Sequence, residues 1–262
     1  MKGGVLIIGS LLWDKDNYNR KEWWKKLDLS RKQKVSLPIR YGRTSEKNRK
    51  GTYSMVFSTS LEDSNNLGVG YFVPFIKEIV SEKEFRNEVV DFAIAEGFVG
   101  GRIAAGWGSI CLKLNPKSEK GEIDVLISNW KKMVVENKEN RTSKQTLPNL
   151  NDFGEENERK TITDNWILNI SDNIFSEIVD IDFILATSNA LKHRNTDERK
   201  YPSAKEIAKA IVDASYYDYF LKNRLNGIKT KEDRLVLKIL RKKYKIKFKE
   251  IRRELTISES FT

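Results

Sequence analysis

Hydrophobic positions in the first third of the chain fall into short runs and alternations before any helical period appears. Val5-Leu6-Ile7-Ile8 is a continuous apolar run stopped by Gly9-Ser10, the pattern of a buried strand. The stretches 35–41, 52–57 and 68–75 predict further strands, with a basic polar loop across 42–51. Residues 20–27 predict a short helical or irregular piece anchored by Trp23 and Trp24. The period changes at Ser81. Ser81-Glu82-Lys83-Glu84 matches a capping box, and Phe85, Val89, Phe92 and Ala93 follow at helical spacing, predicting a helix over 82–95. Gly97 is a stop signal and Gly100-Gly101 a turn. Residues 102–114 then predict a strand or a bulged pair, in which Gly106 and Gly108 permit close backbone approach.

Asn115-Pro116 marks a break, and the character of the chain changes after it. Residues 123–135 have mixed helix and strand character, and 136–160 read as a long polar loop or linker. Two strands are predicted over 166–170 and 181–187. Helices are predicted over 204–214, opened by Pro202-Ser203, over 216–225, and over 231–243, whose Leu235, Leu237, Ile239 and Leu240 make a broad apolar side. The pattern divides the chain into a domain over 1–116, a partly flexible connecting segment over 117–160, and a mainly helical extension over 161–262 that completes or packs on the first domain. The fold class expected is α+β.

Composition narrows the function classes. The 262 residues are 39% hydrophobic, enough for a sizeable core, and no apolar run approaches the roughly 20 residues of a membrane span. Val5–Ile8 is too short for a secretory signal, and a single cysteine, Cys111, excludes an internal disulfide. A cytoplasmic protein is expected. With one Cys and one His, His193, no metal site of the usual zinc type is expected. The net charge of +11 favours anionic partners, and the basic residues gather in 20–50 and 241–253. No P-loop, dinucleotide fingerprint or zinc finger is present, and nucleic acid is not expected as a partner. The C-terminal helices, with Tyr216, Tyr219 and Phe220 on one face, are read as packing or as a surface for a protein partner.

Ile7-Ile8-Gly9-Ser10-Leu11-Leu12-Trp13 is the string with chemical content. A strand ending in Gly-Ser-Leu turns sharply and can aim successive N–H groups into one concavity, a nest for a carboxylate or phosphate. The string resembles the Tyr-Gly-Ser-Leu-x-Trp signature that opens γ-glutamylcyclotransferases of the glutathione-specific type. Two further landmarks follow in the order of that family. One is a strand pair around a basic loop holding Arg40, Arg43 and Arg49, followed by Gly68-Val69-Gly70-Tyr71. The other is Ala95-Glu96-Gly97-Phe98-Val99-Gly100-Gly101, a helix ending in an acid before a glycine-rich turn. The resemblance covers the first 115 or so residues.

What the resemblance implies is a small closed or strongly curved sheet, with Glu96 as the catalytic acid–base facing a pocket. Gly9, Ser10, Leu11 and Arg43 would bind a small anionic substrate. The implied reaction is release of 5-oxoproline from a γ-glutamyl amide or a related amine-bearing compound, with no cofactor and no metal. The chain departs from the family at Ile8, where the family has Tyr, and at Arg102, where it often has an aromatic residue. These departures motivate a second reading, a non-catalytic binding protein on the same fold. Asp14 is read as a turn residue, Trp107 as a packing anchor, Cys111 as a core residue, and His193 as a solvated loop residue.

Overall fold

Pro38 cuts the run expected as one strand over 35–41 into two, because proline has no N–H to give a ladder. A computed structural model describes residues 1–64, 66–140, 146–194, 196 and 198–248 (residues 47 and 48 by backbone only). In it the chain runs β1 (Gly3–Ile7), α1 (Tyr18–Trp24), β2 (Gln33–Leu37), β3 (Ile39–Ser45), α2 (Glu46–Arg49), β4 (Thr52–Phe57), β5 (Gly68–Pro74) and α3 (Glu82–Glu96). It continues through β6 (Ala104–Ala105), β7 (Gly108–Leu114), α4 (Lys120–Glu139), α5 (Ile174–Glu177), β8 (Phe183–Asn189), α6 (Ala204–Asp213), α7 (Asp218–Leu225) and α8 (Asp233–Lys242). The fold is mixed α+β.

Six strands form one sheet in the order β2-β5-β1-β8-β7-β6. All neighbours are antiparallel except β1 and β8, which run parallel with Gly3 opposite Phe183 and Leu6 opposite Ala186. The closed sheet implied by the resemblance is not formed as a barrel: β2 and β6 are the two ends, and β3 pairs with β4 in a separate two-stranded sheet. The basic loop expected over 42–51 is instead the end of β3 and the short α2.

Strand β8 comes from the second half of the chain and lies between two strands of the first. The core follows the sheet. Val5, Phe72 and Phe92 belong to the same buried cluster as Ile207, Phe220, Val236 and Leu240. Much of the segment over 117–160 is ordered: α4 buries Leu126, Trp130, Met133 and Val134, and Phe153 is buried beyond it. The strand expected over 166–170 is reduced to isolated bridges, Leu112 with Ile167 and Ile162 with Leu168. Among the described residues no helix is long and apolar enough to cross a membrane.

Helix α3 sets the direction of the site. Its N-terminus is held by the Ser81 hydroxyl, which accepts the Glu84 N–H at 3.2 Å, while Glu84 reaches the N–H of Val80. Phe85, Val89, Phe92 and Ala93 are its buried stripe, and the Phe92 ring stacks on Trp23 of α1 with centroids 5.1 Å apart. The helix stops at Gly97, whose φ of 95° is in the left-handed region that favours glycine. Phe98 N–H donates to Ala93 O at 2.9 Å and Gly97 N–H to Ile94 O at 3.0 Å, the paired bonds of a Schellman cap. That cap fixes the backbone at Glu96.

Candidate functional site

The loop after β1 is the first wall. The backbone coils through a single turn at 10–12, with Leu12 N–H on Gly9 O at 3.2 Å and Trp13 N–H on Ser10 O at 3.1 Å. A turn of this kind leaves its first N–H groups, here those of Ser10 and Leu11, without a partner inside the turn. Two indoles pin it. Trp24 Nε1 donates to Leu11 O at 2.8 Å, and Trp13 Nε1 to Asn223 Oδ1 at 2.7 Å.

Glu96 is the opposite wall. Gly9, Ser10, Leu11 and Glu96 line one cavity of about 40 Å³ together with Arg49, Ser54, Met55, Thr187 and Tyr219. By the measure in which a water needs roughly 10–15 Å³, this holds about three waters, or one carboxylate group. An acid at position 96 and the first strand's terminal turn therefore meet across a shared space, although 85 residues of chain separate Leu11 from Glu96. Strand β8 supplies Thr187 to the floor, and α7 supplies Tyr219.

Desolvation dominates at Glu96 and raises its pKa above the ordinary glutamate value. The Thr187 hydroxyl and the charges of Arg20 and Arg49 pull the other way without reversing the shift. Thr187 Oγ1 stands beside the carboxyl but outside hydrogen-bond geometry, and it is buried without a partner. The two guanidinium groups are differently engaged. Arg20 forms an ion pair with Asp14, donates from Nε to Ala95 O at 3.0 Å and reaches Ser10 Oγ at 3.3 Å. Arg49 donates from Nη2 to Ser10 Oγ at 3.2 Å and lies 4.1 Å over the Tyr219 ring.

Comparison of the chain with protein-family models, with curated proteins and with solved structures finds no match.

The expected residues thus divide. Gly9, Ser10, Leu11 and Glu96 are together, and Arg43 is not among the cavity's lining. Arg43 Nη1 instead donates to Ala190 O at 3.1 Å, and its backbone carbonyl accepts from the Ser54 hydroxyl at 3.0 Å. The register of β3 explains the miss: the strand continues past Arg43 to Ser45, so the arginine that reaches the cavity is Arg49, the last residue of α2. Asp14 is the ionic partner of Arg20, next to the loop. Tyr219, which the sequence pattern reads as packing or as part of a partner surface, lines the cavity. Trp107 stacks on Phe98 with centroids 4.3 Å apart, and Cys111 is buried in β7.

His193 is a correction. It is 5% exposed rather than solvated, packed near the Tyr53 ring with Glu206 Oε1 3.3 Å from its Nε2. His193 and Arg194 line a cavity with Tyr53 and with Glu206, Lys209 and Asp213 of α6, and packing against the Tyr53 ring accounts for the burial of the histidine. Among the described residues no group of three or more His, Cys, Asp or Glu could hold a metal ion.

Proposed function

We propose that the chain is a cyclotransferase-like enzyme, releasing 5-oxoproline or a similar cyclic product from a γ-glutamyl amide. The observation that carries this reading is the shared cavity of Glu96 and the 9–11 turn, with burial raising the pKa of its one carboxyl. The reaction needs little more. The substrate's own α-amine attacks its γ-carbonyl carbon, the new C–N bond closes a five-membered ring, and the old C–N amide bond breaks. Holding both ends of one molecule in near-attack geometry provides much of the acceleration.

Glu96 would move the protons. Its carboxylate takes one from the attacking amine and returns one to the departing nitrogen, so the carboxyl ends as it began. A group with a pKa closer to neutrality is suited to both halves of that exchange. The N–H groups of Ser10 and Leu11, which the turn leaves without internal partners, would stabilise the oxygen that becomes negative. The cavity admits one carboxylate group, so the rest of the glutamyl chain and the departing amine would lie outside it.

The test is incubation with glutathione and γ-glutamyl dipeptides, with 5-oxoproline read by mass spectrometry. The wild type is expected to make it, and Glu96→Gln to lose at least ~100-fold, the scale of general acid–base catalysis. No product from the wild type would remove the reading. Product persisting in Glu96→Gln would remove Glu96 from it.

A further inference from the structure

The cavity is bordered by hydrogen-bond donors that the protein leaves unused. Thr187 is 5% exposed, and its Oγ1 has no partner among the described residues. Tyr219 is 4% exposed; its oxygen accepts the Met55 N–H at 3.2 Å, and its own proton has no acceptor among the described residues. Ser10 Oγ accepts from both Arg20 and Arg49, so its hydrogen too is left to donate. Arg49 forms no ion pair among the described residues, its charge acting on Glu96 at longer range, whereas Arg20 is paired with Asp14.

Polar groups buried without partners are costly, by an amount comparable to a lost hydrogen bond each. Of the three hydroxyls only Thr187 is without a partner among the described residues; Tyr219 and Ser10 accept but do not donate, so three hydroxyl hydrogens and the Arg49 guanidinium border one space. Gly9 is part of the arrangement. A side chain there would place its Cβ 2.8 Å from the Tyr219 hydroxyl, so glycine is what lets a tyrosine of α7 reach the turn after β1. The Arg49 guanidinium, stacked 4.1 Å above that same ring, is held with its charge at the cavity.

We propose that Arg49, Tyr219, Thr187 and Ser10 form a carboxylate-binding subsite, with Arg49 and Tyr219 its specificity residues. Donors alone would suit any acceptor; the charge of Arg49, shared at this cavity only with the Glu96 carboxyl that burial keeps closer to its neutral form, selects an anion, and the space admits a group of about three heavy atoms. The anion subsite stands on this geometry. Its identification with the α-carboxylate of a γ-glutamyl compound rests on the function proposed above. The second half of the chain is then part of the recognition machinery, through residues 187 and 219.

Binding is measured on the full chain by ligand-observed NMR, which needs no turnover. Acetate and 5-oxoproline are the carboxylate probes, and acetamide and 5-oxoprolinamide their neutral controls. Each carboxylate is expected to bind ~10-fold or more tighter than its amide, the scale of a charge-assisted hydrogen bond. Arg49→Gln should abolish that preference and Tyr219→Phe should reduce it several-fold, with near-UV circular dichroism confirming the native fold of each. Tyr219→Phe keeps the ring and removes one oxygen, and Arg49 is only partly buried, so both can be made without emptying the core.

Acetate that binds and responds to Arg49→Gln while 5-oxoproline does not would support the subsite and count against the γ-glutamyl reading. Equal binding of acids and amides, no binding of either acid, or an unchanged preference in both variants overturns the subsite. Should the wild type turn over γ-glutamyl compounds, a KM unmoved by Arg49→Gln overturns it as well, while the reaction stands.

Discussion

Asp233 and Glu96 are both acids whose pKa burial raises, and their surroundings could hardly differ more. Asp233, 2% exposed at the start of α8, accepts from Tyr41 at 3.2 Å, from Thr230 at 2.9 Å and from Arg224 at 2.9 Å. Every donor in reach is aimed at it. Around Glu96 the donors point into a space instead, and its neighbour Thr187 is left unpaired. A buried acid closed on itself ties elements together, here β3 to α7 and α8. One that faces uncommitted donors across a cavity is furnished for something else to enter. Burial and a shifted pKa do not separate the two cases; the unspent hydrogen bonds do.

The comparison can be broken at either end. Asp233→Ala strands three donors, one of them the Arg224 guanidinium, and should lower unfolding free energy by ~3 kcal/mol, the usual effect of breaking a buried pair. Urea denaturation reads it. Carboxylate preference at the cavity should survive, and its loss would show that the two regions are not separate. Trp24→Phe removes the indole bond to Leu11 O and should cost about 1 kcal/mol. It should also weaken probe binding, since the turn loses a pin; unchanged binding would mean that Trp13 alone positions it.

The smallest effect is the most specific. A carboxyl with a raised folded pKa binds its proton more tightly in the native state. Native stability therefore falls as pH rises from the ordinary glutamate value, about 4.3, through the raised one. Glu96→Gln cannot ionise. Its stability relative to the wild type should be unchanged in acid and should improve on passing through that window, as followed by melting temperature against pH. A flat difference would place the Glu96 carboxyl in water.

Local elements were legible because local physics decides them. The β1 run, the Ser81 cap, the α3 stripe and the Gly97 stop all follow from neighbours within a turn or two. The meeting of Glu96 with the 9–11 turn is also expected, as an implication of the family resemblance rather than of any local pattern. What periodicity does not carry is partnership between distant segments. Residues 181–187 read as a strand, but nothing in an apolar run says that it will slot between β1 and β7. The same blindness hid Tyr219, which looks like a packing residue until α7 is set against Gly9. The polar stretch over 42–51 reads as a loop, whereas β3 extends to Ser45 and Arg43 lies on that strand, away from the cavity. Ile8, where the resemblance expects tyrosine, is still Ile8; a tyrosine hydroxyl reaches the turn from position 219.

The parallel pairing of β1 with β8 has a consequence for how the molecule is made. Residues 3–6 wait for residues 183–186, and at 5–20 residues per second a ribosome takes about 10–35 s to deliver them. During that interval one edge of β1 has no strand to pair with, and apolar surface meant for the sheet interior is open to other chains. Translation speed across the middle of the message, and the availability of holdases during it, should therefore set the yield of folded protein more than its final stability does.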